Sequence, residues 1–163
     1  MRQSSFRDYG IISITFFVAL CLSVLPLTEA LQAARPEWVI VVLIYWVMAM
    51  PHRVGILYAW CVGMCVDVLH GQIIGQSALI LVIIAFFSQH LYQRLRMYLI
   101  WQQAGVVFLL VGMGQFIKYL IQAMLIGQTP ESMMYLLSAL VSALLWPCVY
   151  LILRAMRRYY DIW

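Results

Sequence analysis

Asp67 and Lys118 are ionisable side chains that fall within long apolar runs of this sequence. Such groups are costly inside a membrane and face a protein interior or a water-filled space. Gln115, Lys118 and Gln122 recur at i, i+3 and i+7, so they share one helix face. Asp67 closes its own run and is followed by His70-Gly71-Gln72 and Gly75-Gln76. Together these residues are expected to form a polar patch near one membrane face, serving either as a joint between helices or as a ligand or partner site. At 1.5 Å per residue, Asp67 lies roughly 20 Å along its helix and Lys118 roughly 13 Å below the end of its own. Both then fall in the same half of the bilayer, and an ion pair between them is the expectation. The alternatives are a lysine that snorkels to the surface and a carboxylate at an interfacial helix end.

Other chemistry is sparse. Cys21, Cys61, Cys65 and Cys148 sit singly in apolar stretches and read as small buried hydrophobes. No Cys/His cluster has metal-site spacing. His52, His70 and His90 lie in or beside turns. Hydrolase, zinc-protease and phosphate-loop motifs are missing, so no catalytic residue, metal or cofactor is expected.

The elements that must position the polar patch follow from composition. The chain has 163 residues, of which 66% are hydrophobic and 10% charged. A soluble domain of this size could neither bury that much apolar surface nor cover it. The composition excludes a soluble enzyme, a disordered chain and a disulfide scaffold. It points to an all-α membrane protein, because continuously apolar runs satisfy their backbone in lipid as helices. Six runs separate at turns, at about 10–26, 36–50, 54–69, 73–92, 99–126 and 133–153. They fill the length as one polytopic domain, at roughly 20 residues per span.

The first run follows Arg2 and Arg7 and precedes Ala30 and Ala34, which resembles a secretory signal. Five further runs and the nearby Pro36 favour an uncleaved span instead. The arginines then orient the chain. With an internal N-terminus, one side holds Arg2, Arg7, Arg53, Arg94, Arg96, Arg154, Arg157 and Arg158, and the other only Arg35. This is a strong positive-inside bias, placing both termini in the cytoplasm. Basic residues so scattered make no nucleic-acid surface. Arg154, Arg157 and Arg158 share one helix face and, with Arg53, Arg94 and Arg96, form a cytoplasmic basic face for anionic lipid or a partner. Trp38, Tyr45, Trp46, Tyr98 and Trp101 are expected in an interfacial aromatic belt.

The second and third runs are too short to cross about 30 Å of hydrocarbon comfortably. They are expected to form a helical hairpin shielded by longer helices, or to mark a thinned bilayer. Small residues recur four apart at Ala59 and Gly63, Ser138 and Ser142, and Ala139 and Ala143. Such spacing lets backbones approach closely, within one chain or between two.

Arg35-Pro36-Glu37-Trp38, then Tyr45-Trp46 and Pro51-His52-Arg53, then Gly63, Asp67, Gly71 and Gly75 resemble the rod shape-determining MreD family. The resemblance extends over the whole length. It implies a non-enzymatic inner-membrane scaffold of the bacterial elongation machinery, linking the MreB cytoskeleton to peptidoglycan synthesis. The partners it implies are the single-span protein MreC, MreB, RodA and a class B transpeptidase. It also implies a six-helix fold similar to the substrate-binding subunits of energy-coupling-factor transporters. That second likeness supplies an alternative function, a vitamin-binding transporter subunit. Those subunits carry an A-x-x-x-A pattern on the first helix for their membrane partner, and this chain offers Ala19 and Ser23 in its place.

Overall fold

In a computed structural model, residues 2–26, 35–71, 73–127 and 134–160 are described. The expectations placed on Ala30, Ala34 and Gln72 lie outside these residues. The described chain is all-α, with helices α1 (Arg2–Val24), α2 (Trp38–Ala49), α3 (Ile56–His70), α4 (Gln76–Leu95), α5 (Ile100–Ile126) and α6 (Met134–Tyr159). Three of them, α4, α5 and α6, are long and apolar enough to cross a membrane. The helix α6 continues past its apolar run, so Arg154, Arg157 and Arg158 are helical.

The shortest helix is the centre of the bundle. All ten residues from Val39 to Met48 are buried in α2. It is enclosed by α1, α4, α5 and α6. At 12 residues it spans only about 18 Å, but it has no need to meet lipid. Its ends are satisfied by neighbours: the Glu37 N–H donates to Ser142 Oγ at 3.0 Å, and Gln89 Nε2 donates to the Pro51 carbonyl at 3.3 Å. A short helix is tolerated at membrane depth when protein supplies such partners.

This arrangement corrects the hairpin expectation. Helix α3 packs mainly on α4 and lightly on α1, so α2 and α3 are consecutive without sharing a packing face. An all-apolar run such as α2 carries no facing signal, which is why its enclosure could not be read from its sequence. The aromatic belt is corrected too. Tyr45 and Trp46 are buried in the core, and Trp46 Nε1 donates to Thr15 Oγ1 at 2.8 Å across the α1–α2 contact. Tyr98 and Trp101 are exposed. The four cysteines lie on the outside of the bundle rather than in its core. The small-residue spacings are used within the chain, since Ala59, Gly63, Ser138, Ala139, Ser142 and Ala143 are all buried.

Arg53, expected on a free basic face, pairs with Asp8 of α1 and lies 6.0 Å over the Tyr9 ring. The side chains are 24% and 9% exposed, so the pair is shielded enough to matter. It fastens the α2–α3 turn to the first helix. Asp8→Asn and Arg53→Gln are therefore expected to be non-additive, with a coupling of about 1 kcal/mol in a double-mutant cycle of detergent unfolding.

Candidate functional site

Two clusters stand at the end of the bundle opposite Arg53. The first is built on Asp67, which is fully buried. Its carboxylate accepts the N–H of Gly75 at 2.8 Å, of Ser77 at 2.8 Å and of Ala78 at 3.4 Å. These amides open α4, whose first donors have no partner within their own helix. A carboxylate placed there also opposes the positive end of the helix dipole. Asp67 thus caps α4 from α3, across the connection between them.

The connection is shaped for this contact. Gly71 ends α3 at φ +60° and Gly75 precedes α4 at φ +100°, left-handed conformations that glycine adopts without penalty. One turn before Asp67, Gly63 lies directly against the backbone of α4. A methyl group there would stand 2.3 Å from Ala78 Cα and 2.7 Å from Ala78 N. Gly63, Asp67, Gly71 and Gly75 are therefore one device that locks α3 onto the start of α4.

The second cluster joins the start of α2 to α5 and α6. Gln115 Nε2 donates to Glu37 Oε1 at 2.5 Å, and Ser138 Oγ donates to the Arg35 carbonyl at 2.6 Å. Arg35 Nη2 donates to the Leu25 carbonyl at 3.3 Å. Beside this network lies a cavity of about 240 Å³, lined in part by Ser23, Arg35, Glu37, His70, Ser77, Gln115 and Lys118. The rest of its lining is largely apolar and includes Ile40, Ile80 and Leu81.

The expected pair of Asp67 and Lys118 is not formed; among the described residues the ion pair is that of Arg53 with Asp8. Three nearby amides claim the Asp67 carboxylate, and Lys118 lines the cavity instead. Gln115 joins Lys118 in the cavity wall, whereas Gln122 does not line it. Of the motif residues, Arg35 and Pro36 line the cavity, Trp38 packs on the core, His52 is exposed and the Pro51 carbonyl receives Gln89. Arg94, Arg96, Arg154 and Arg158 are exposed at the opposite, basic end. Arg157 turns inward toward the Tyr45 hydroxyl, so it leaves that exposed set.

Sequence reasoning missed the work of Glu37, Ser138 and Ser142. The serines showed only as small residues four apart, and their hydroxyls proved to be the partners of the α2 entry. Asp8 was missed as well, because nothing in the first run signals which turn lies beside it.

The model of the rod shape-determining protein MreD family matches residues 5–156. The chain belongs to the MreD family. The rod shape-determining protein MreD of Haemophilus influenzae is 32% identical over 143 residues, 88% of each chain. No solved structure matches. As a member of the MreD family, the chain is a non-enzymatic, multi-pass membrane component of the cell-elongation machinery. The locked α3–α4 joint and the enclosed α2 give such a component fixed surfaces rather than a reaction centre.

Proposed function

We propose that this chain is the membrane adaptor that couples the MreB filament to wall synthesis on the other side of the bilayer. Its partners in this reading are the single-span protein MreC, MreB, RodA and a class B transpeptidase, together with membrane lipids. The observation that carries it is the family match over almost the entire chain. All six helices form one domain embedded in the inner membrane, with both termini and the exposed Arg94, Arg96, Arg154 and Arg158 in the cytoplasm. The charge asymmetry supports this orientation.

The energy-coupling-factor likeness concerns the fold, and an all-α arrangement of six helices with a cavity at one end accords with it. A transporter role is disfavoured by α1. Ala19 is 1% exposed and faces the core of its own chain, so it cannot offer a contact to a membrane partner. The test of the adaptor reading is cell shape: in a host depleted of its own copy, the chain is expected to restore rods. Cells that stay round despite normal membrane levels would contradict it.

The basic end makes a separate expectation. Each exposed arginine contributes about 1 kcal/mol of attraction near an anionic surface. Replacing Arg94, Arg96, Arg154 and Arg158 together by Gln is expected to leave insertion intact while lowering co-isolation of the filament severalfold. Unchanged co-isolation would reduce these residues to a topological anchor.

A further inference from the structure

Within the cavity beside the α2 entry, the charges are unbalanced. Arg35 and Lys118 bring two positive charges and Glu37 one negative, which leaves one positive charge facing the space. Glu37 is already engaged by Gln115 at 2.5 Å. The Arg35 Nε is buried and has no hydrogen-bond partner among the described residues. Lys118 has no ion-pair partner among the described residues either. A buried donor without an acceptor is costly, and a cation held below the membrane surface more so. The second cost falls if an anion enters, because Arg35 and Lys118 both line the space.

We propose that this cavity binds a small organic carboxylate between Arg35 and Lys118, with the apolar part of the ligand against Ile40 and Ile80. A guanidinium fork matches a carboxylate, and an ammonium adds a point charge beside it. The single excess charge suits one carboxylate, while Glu37 would repel a dianionic phosphate. The volume of about 240 Å³ is below the roughly 300–1,000 Å³ of pockets that enclose drug-sized ligands. The ligand is therefore small. This site is independent of the adaptor reading and would serve it as a sensor or a further contact.

The probe is butyrate, with butyramide as its uncharged isostere, applied to the full chain in nanodiscs. Butyrate is expected to raise the unfolding temperature saturably and to slow reductive methylation of Lys118, read by mass spectrometry. Butyramide is expected to do neither. Lys118→Gln is expected to weaken the butyrate effect at least about tenfold, the size of one charge-assisted contact, and Lys118→Arg to retain it. If Lys118→Gln does not fold, labelling of the native chain decides alone. Equal protection by butyrate and butyramide, or protection by neither, would overturn the proposal.

Discussion

Gly63→Ala is expected to destabilise the bundle by about 3 kcal/mol or more, a loss out of proportion to one methyl group. The added Cβ would stand 2.3 Å from Ala78 Cα, 2.7 Å from Ala78 N and 3.0 Å from the Ser77 carbonyl carbon. All three are backbone atoms, so no side chain can rotate away. Helix α3 would have to lift from α4, and Asp67, one turn further along, would be drawn off the amides it accepts. Overpacking alone costs about 1–3 kcal/mol, and each weakened bond to a charged acceptor about 1.5–3 kcal/mol. Gly112→Ala is the control, because a Cβ at Gly112 meets nothing within 4 Å. It is expected to stay within about 1 kcal/mol of the native chain. Unfolding in detergent micelles measures both. Similar losses for the two variants would show that α3 and α4 do not approach this closely at Gly63.

The second large effect is at Asp67. Asp67→Ala strands the Gly75, Ser77 and Ala78 amides at a buried helix start and is expected to cost about 3–5 kcal/mol. Asp67→Asn keeps one acceptor oxygen but turns an NH₂ toward a donor, so an intermediate loss is expected. Adding Lys118→Gln separates two explanations. If the two charges neutralised each other, the double variant would recover much of the loss. With Asp67 bonded to amides, the effects simply add, within about 0.5 kcal/mol. Recovery of folded protein in the double variant would restore the ion pair and dismiss the cap.

Much of this architecture is written in the sequence at the level of runs and turns. Continuous apolar stretches can only be helices in lipid, and Pro36, Pro51 and the glycines near 71 and 75 mark where they stop. The motif glycines were legible as special, and their reason is geometric: two left-handed turns and one backbone contact. What pairs with what was not legible. Depth along a helix placed Asp67 and Lys118 at similar levels, but it said nothing about closer competitors. The amides at the start of α4 follow Asp67 by eight to eleven residues, and a glycine-rich connection brings them nearer than any other helix. Likewise, Tyr45 and Trp46 near a predicted span end read as interfacial. Only the enclosure of α2 by four neighbours turns them into core. Arg53 shows the same limit: its charge gave its side of the membrane, and Asp8 gave it a structural task that charge counting could not anticipate.

An adaptor of cell elongation must keep its partners through gentle isolation. Affinity isolation of the intact, gently solubilised chain from its native host, followed by mass spectrometry, is the measurement. The expected result is recovery of a single-span protein with a periplasmic domain, the MreB filament protein, and the RodA glycosyltransferase with its transpeptidase. Recovery of a nucleotide-hydrolysing transporter pair, with the shape proteins missing, would contradict it.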